Sequence, residues 1–434
     1  MNKKIILLIT GLILFLIVLI LIIILVKNNN SQNSQPNTNA SVELTYWGVF
    51  MPEQVMNPII EKYQSENPNV KINYQERSFN DDLGDYKNTL KTRLTNGSGP
   101  DIFRMHSTWS TPFYSQLSLE NDAMTDVELK SEFYPVVSTQ CRTRDAKVIC
   151  IPLMYDGLVL LYNVDMFKDE GVLPPTTWEE LRTISARLTK RDSRGNPNRS
   201  GVALGTSNNI SNASDILSIL MLQNGVSLPD GIDSPEGKTA LEFYKSFEKN
   251  RIWTETMPES PIAFASEKTA MVFAKRWEIL EILELNPTLN FGVTTIPQVP
   301  KLDGTTTNNT WASFWVESVS NDSSKDEQRE AWKFLHWLSE PEQQKAMFDE
   351  FKKYYRFGEI YSSVALRNDI INTPILGPFV EQALTSSTWL TADTSGNDVY
   401  VKVFNDAIGN SEKVLPLEEA EAEIIKRMKK DGYR

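Results

Sequence analysis

Histidine and cysteine are scarce: two of each occur in 434 residues. So few cannot build a His-rich zinc site, a four-cysteine cluster or several independent Ser-His or Cys-His centres. Basic charge is also short. Lys and Arg number 44 against 56 Asp and Glu, and no basic patch interleaved with aromatics offsets the deficit. A surface of that sign repels nucleic acid and anionic lipid. The phosphate-cradling loops GxGxxG and GxxxxGK[ST] have no match, and HExxH, GxSxG and CxxC are absent. What is present is the composition of a folded protein, 41% hydrophobic and 10% aromatic, on a chain long enough for two ordinary domains.

The longest apolar run, residues 5–26, is broken only by Thr10 and Gly11 and is flanked by Lys3, Lys4 and Lys27. Twenty-two residues at 1.5 Å each make about 33 Å of helix, enough for a hydrocarbon core of about 30 Å. A signal-peptide core is shorter and ends at a small-residue cleavage site, which is missing here. The expectation is an uncleaved signal anchor over residues 1–27, with a cleaved secretory peptide as the alternative. No cysteine precedes Cys141, so a lipid-modified cysteine is not expected. The lysines on the short side place that end in the cytoplasm and the bulk outside the cell membrane, as a single-pass protein. Residues 28–41, rich in Asn, Gln and Ser, read as a flexible linker. The first forty residues hold three of the 44 basic groups and no acidic one, leaving 41 against 56 in the remainder.

Cys141 and Cys150 bracket RTRDAKVI, in which Asp145 and Ala146 look like a hairpin tip. Outside the cytoplasm a disulfide would pin that hairpin; closing a ten-residue loop is worth about 2.7 kcal/mol by chain entropy. Two independent buried thiols are the alternative.

From residue 42 the pattern alternates strand and helix. Val42 to Trp47 alternates as a strand. Val55, Ile59, Ile60 and Tyr63 form a helical stripe that stops at Asn67 and Pro68. A second strand begins at Val70, and a second helix carries Leu83, Tyr86, Leu90 and Leu94. The chain then enters a strand at Asp101. The middle repeats this: an apolar strand over 158–163, a capping box from Thr177 to Glu180, a short strand over 201–205 and a capped helix at Ser234 and Pro235. Strands over 269–274 and 291–296 follow, then a strand over 311–320 and an amphipathic helix over 325–338. Residues 398–430 read as mostly helical. Such alternation implies an α/β fold with largely parallel sheets, and two cores with a cleft between them.

Tryptophan stands out at strand ends: Trp47, Trp109 and Trp277 follow predicted strands, and Trp311 and Trp315 share a strand face. Ligands of open α/β sheets lie beyond the carboxyl ends of the strands. A sugar's C–H face suits a flat aromatic, and its hydroxyls suit Asp, Glu, Asn or Arg. Taken singly, each of these rings fits a core position better than a ligand-binding one. Trp178, Trp332 and Trp337 sit on amphipathic helices and are assigned to the core; His336 reads as a helix-surface or packing residue. A carboxylate pair for glycoside hydrolysis stays open among 56 acids, because its test is spatial.

An ordered series of segments resembles the extracellular solute-binding proteins of sugar-type ABC importers, the group that includes maltose-binding protein. The series is LTYWG with a helix ending SENPNVKI, then GPDIF, ICIPLMYDGLVLLYNVDMFKDEGV, PPTTWEEL, KTAMVFAKRW, FGVTTIPQVP and WASFWVESVSNDSSKDEQREAWKFLHWL with EPEQQKAM. The resemblance implies a two-lobed periplasmic-binding-protein-like fold (type II), each lobe a mainly parallel sheet flanked by helices, with the ligand cleft at the hinge. Lobe I would comprise 42–154 with 298–362, and lobe II 157–296 with 365–434; the crossings would fall near 154–157, 291–297 and 361–366. It carries over as binding positions Trp47, the stretch His106, Ser107 and Trp109 after GPDIF, Tyr155 with Asp156, Trp277, and Trp311 or Trp315. Arg276 is larger than the small residue often found there, and can engage a hydroxyl or an acidic sugar. Ser107 and Thr108 stand where maltose-binding protein has an acidic-basic pair. The partners implied are a carbohydrate and ABC permease subunits, with no nucleic acid, no metal, no cofactor and no catalysis, on a monomer held to the membrane by its N-terminal helix. A receptor of the same fold for a polyamine, phosphate or iron, and an external glycosidase, are the alternatives.

Overall fold

The computed structural model describes residues 41–77, 83–119, 123–301, 303–393, 398–409 and 414–433. The expected anchor over 1–27 and the linker up to residue 40 lie outside the described residues. Among the described residues no helix is long and apolar enough to cross a membrane. The chain divides into Met1–Val42 and Glu43–Arg434, and the second carries the architecture that follows.

The first half of the reading survives closely. Strand β1 (Val42–Gly48), helix α1 (Glu53–Glu66), β2 (Val70–Glu76), α2 (Leu83–Thr95) and β3 (Ile102–His106) alternate as the pattern requires. Leu44 and Tyr46 are fully buried, two residues apart on one face of β1. The α1 stripe Val55, Ile59, Ile60 and Tyr63 is buried. The helix ends where the Asn67 N–H returns to the Tyr63 carbonyl at 2.9 Å and Pro68 cannot continue it.

After β3 come two 3₁₀ turns, Ser107–Trp109 and Tyr114–Gln116, and two short helices, Asp126–Glu132 and Pro135–Gln140, before the cysteine hairpin. Cys141 and Cys150 are bonded, Arg142 and Val148 pair antiparallel, and Ala146 takes the left-handed conformation at the tip, with φ 61°. Next come β4 (Met154–Tyr155), β5 (Val159–Asn163), α3 (Trp178–Leu188), α4 (Ala213–Gln223), α5 (Pro235–Lys249), β6 (Met271–Ala274), α6 (Arg276–Leu285) and β7 (Phe291–Thr294). The capping box of Thr177 and Glu180 forms, and Ser234 caps α5 by accepting the Gly237 N–H. The remaining elements used below are β8 (Trp315–Val319), α7 (Lys325–Ser339) and β9 (Ile360–Tyr361). Trp178 and Trp332 are buried as assigned, and Trp337 is half-buried against Phe334.

Two sheets organise the body. The first has the order β8, β3, β1, β2; β1 and β3 are parallel, whereas β8 returns antiparallel to β3 with Trp315 opposite His106. The second has the order β6, β5, β7, and β5 runs antiparallel to both neighbours. This corrects the expectation of a mainly parallel sheet in each lobe. β4 belongs to a separate pairing with β9, so β5 opens the second sheet, and its neighbours β6 and β7, which come more than a hundred residues later, both run against it. β6 and β7, joined through α6, do run the same way. The strand expected over 201–205 is reduced to a parallel bridge from Ser200 to Thr269, because its glycines close on neighbouring backbone: a Cβ on Gly201 would stand 1.9 Å from the Ser185 carbonyl oxygen.

The strand expected over 311–320 is broken in two. Thr310–Trp311 pairs with Ser386–Ser387, β8 pairs with β3, and residues 312–314 pass between. Residues 298–309 bond to the entry of α3 and the end of α4, with the Gln298 N–H on the Thr176 carbonyl at 2.9 Å and the Gln223 side-chain amide on the Asn309 carbonyl at 2.7 Å. Residues 291–294 are strand β7 inside the second sheet. Close to the 312–314 passage, β4 and β9 pair antiparallel, Tyr155 opposite Ile360.

Candidate functional site

A cavity of about 440 Å³ opens where these passages meet. Its walls come from seven separate stretches: Phe50 after β1, Arg104 and His106 on β3, 154–156 at β4, the first turns of α6, the 313–315 passage, 351–359 before β9, and Ala392 with Asp393.

Six of the ten expected positions are on this wall: His106, Tyr155, Asp156, Arg276, Trp277 and Trp315. The other four are not among its lining. Trp47 is 7% exposed, its ring covered by the Arg77 guanidinium at 4.2 Å. Ser107 and Trp109 are fully buried in the 3₁₀ turn; the Trp109 indole donates to Asp393 at 2.5 Å and packs edge-on against Trp315 at 5.3 Å, so it supports the wall from behind. Trp311 is fully buried, because its strand pairs on the far side of the break.

Two apolar surfaces face the cavity. On α6, Ile279, Ile282 and Leu283 face the core. Trp277, Leu280 and Glu281 therefore take the opposite side, and Trp277 stays 44% exposed. Across from them Phe50, 57% exposed, meets the Trp315 ring edge-on at 5.3 Å. Phe50 sits at φ 55°, a conformation that costs a bulky residue strain and that clusters at functional sites.

The polar wall centres on Asp156. Its Oδ1 accepts the Gly157 N–H at 2.7 Å and the Arg276 N–H at 3.1 Å, and its backbone carbonyl accepts the Ser313 N–H at 3.0 Å. Burial raises its carboxyl to about 6, against the opposing pull of Arg276. Glu278 accepts the Lys275 N–H at 2.7 Å, so two carboxylates meet the positive N-terminal end of α6. Burial lifts Glu278 to about 7 and lowers His106 to about 4, which leaves a neutral imidazole at neutral pH. Its Nδ1 is 2.8 Å from Thr108 Oγ1 and its Nε2 3.3 Å from Ser313 Oγ.

Each cation on the wall has a carboxylate of its own. Arg104 meets Glu317 at 2.9 Å and Lys275 meets Asp215 at 2.8 Å, all four side chains nearly inaccessible; Arg276 is bonded to Glu359. With Asp156 and Glu281 added, the wall is no anion trap. Among the described residues no group of three or more His, Cys, Asp or Glu is placed to hold a metal ion.

Phe50, Lys275, Tyr355, Glu359 and Asp393 were not singled out from sequence. Phe50 had one available signal, an exposed-type aromatic between a strand end and Pro52. The others reach the cavity only through tertiary packing.

Residues 58–375 match the bacterial extracellular solute-binding protein family. The chain belongs to that family. This solute-binding chain is 23% identical over 350 residues to the maltotriose-binding protein of Pyrococcus abyssi, covering 76% of the chain and 70% of that protein. It is 25% identical over 315 residues to a maltooligosaccharide ABC transporter solute-binding lipoprotein of Streptococcus pneumoniae, covering 67% and 68%. Among solved structures it is similar to a cyclo/maltodextrin-binding protein complexed with maltotetraose, at TM-score 0.71 and 17% identity over 92% of this chain and 98% of that one. An ABC substrate-binding protein from Listeria monocytogenes in complex with cycloalternan gives TM-score 0.66 and 20% identity over 90% and 99%. The fold is thus the two-lobed, mixed α/β fold of these binding proteins.

Proposed function

We propose that this chain is the extracytoplasmic receptor of an ABC importer, binding an oligosaccharide in the cavity and handing it unaltered to permease subunits. The observation that carries the reading is the pairing of open aromatic faces, Trp277 against Phe50 and Trp315, with the Asp156 and Arg276 hydrogen-bonding wall between them. Apolar C–H faces stack on the first and hydroxyls bond to the second. Relatives named for maltotriose and maltooligosaccharide support an α-glucan or a similar glycan. The balanced charges weigh against phosphate. The family is one of binding proteins, which supports a receptor over a glycosidase.

The lobes we assign follow the sequence reading with one change. Residues 298–311 join lobe II, because their hydrogen bonds run to α3, α4 and Ser386–Ser387; the crossings then become 154–157, 312–314 and the stretch around β9. Residues 5–26 anchor the protein by a signal helix, which places the binding domain outside the cell, and the receptor works as a monomer.

Intrinsic tryptophan fluorescence titrated with a glycan panel tests the ligand class. Saturable quenching by a neutral oligosaccharide is expected; response to an amino acid or polyamine, with none to any glycan, would sink it.

A further inference from the structure

Arg276 is 8% exposed and lies on the cavity wall, yet it is only partly satisfied. Its Nη2 bonds to Glu359, while its buried Nε and Nη1 have no hydrogen-bond partner in the protein. Buried donors of a charged group are seldom left without an acceptor, and a small shift of this side chain towards the cavity would bring them to an acceptor that a ligand carries. Nε–H and the Nη1 amino group lie on different edges of the guanidinium, so each takes an acceptor of its own, a carboxylate oxygen or a hydroxyl.

The surroundings choose between them. A carboxylate entering this corner would meet Glu359 on the same guanidinium, Asp156 at the Arg276 backbone N–H, and Glu281 on the cavity face of α6. The other two cations on the wall, Arg104 and Lys275, are already closed onto Glu317 and Asp215. Like charges brought together in a desolvated site repel strongly. Hydroxyls meet no such penalty: they accept from Arg276 and donate to Asp156.

Building on the saccharide reading of this cavity, we propose that Glu359 sets its charge specificity. By balancing Arg276, it leaves Nε and Nη1 for neutral hydroxyls and excludes saccharides that carry a carboxylate. Glu359 lies in a loop before β9, 83 residues from Arg276 in the chain, and belongs to no motif that sequence reading singles out. It acts through Arg276 and is a specificity-determining residue.

The test is calorimetric titration with maltotriose and mannotriose, each beside its C6-oxidised uronate. The wild-type chain should bind at least one neutral trisaccharide tenfold or more tighter than its uronate. Glu359→Gln should narrow that ratio at least tenfold, because the unbalanced guanidinium then attracts the carboxylate. A second measurement needs no variant. Between pH 7.5 and 5.0 the Asp156 carboxyl, raised by burial to about 6, takes up a proton, so the wild-type ratio should narrow as pH falls. Binding without charge preference overturns the inference alone, as does a ratio that neither the variant nor acid moves. Failure of both neutral trisaccharides to bind overturns the underlying reading and the inference with it.

Discussion

Replacing Trp277 with alanine separates a ligand platform from a core residue. The ring is 44% exposed in the unliganded protein. A tryptophan offers at most about 250 Å² of surface, so about 110 Å² stays in water, and a ligand stacked on one face covers about half of it. At about 25 cal/mol per Å², covering about 55 Å² contributes about 1.4 kcal/mol. That is about tenfold in Kd. The empty protein should barely notice the change, because the core stripe of α6 runs through Ile279, Ile282 and Leu283 on the other side. Titration calorimetry against the tightest glycan gives the first quantity and a thermal melt of the unliganded variant gives the second. A melting temperature several degrees lower with unchanged affinity would refute the reasoning and return Trp277 to the core.

Trp311→Ala should do the reverse: a fully buried ring lost from a packed junction costs about 3 to 5 kcal/mol, read by denaturant unfolding, and a loss below 1 kcal/mol would contradict its burial. Reducing the bond between Cys141 and Cys150, or Cys141→Ser, should remove up to about 2.7 kcal/mol, visible as a lower unfolding midpoint with reductant; no shift would count against a stabilising role. Asp156 and His106 should pull the pH profile in opposite directions. Asp156, raised from 3.8 to about 6, lowers stability as pH rises through that window, whereas His106, lowered from 6.5 to about 4, raises it. Asp156→Asn removes the falling component, so the variant's stability should climb more steeply between pH 4 and 6 than the wild type's; parallel profiles would show that Asp156 titrates normally.

Much of the fold was legible because it is local. The stripe of α1, the capping box at Thr177 and the serine cap of α5 depend on neighbours within four residues, and sequence carries that information directly. The direction of β5 was not legible, since it is fixed by pairing with β6 and β7, far along the chain. The split of the tryptophans was half legible. In α6 the apolar period already puts Trp277 opposite Ile279, Ile282 and Leu283, whereas nothing near Trp47 announces that Arg77 will cover it. Glu359 and Asp393 were invisible for a simpler reason: they are ordinary acidic residues until the passages around β4 and β9 bring them to Asp156's side of the cavity.

Asp156 bonds through its side chain to the start of α6 and through its backbone to the 312–314 passage, while standing in the first passage itself. Closure of the proposed hinge about such a joint would alter angles at a few bonds and expose little apolar area there. The heat capacity change on ligand binding should accordingly come from the cavity faces, Trp277, Phe50 and Trp315, and hardly at all from the pivot. Calorimetry at several temperatures would then measure how far the glycan is wrapped, with little correction for the motion that wraps it.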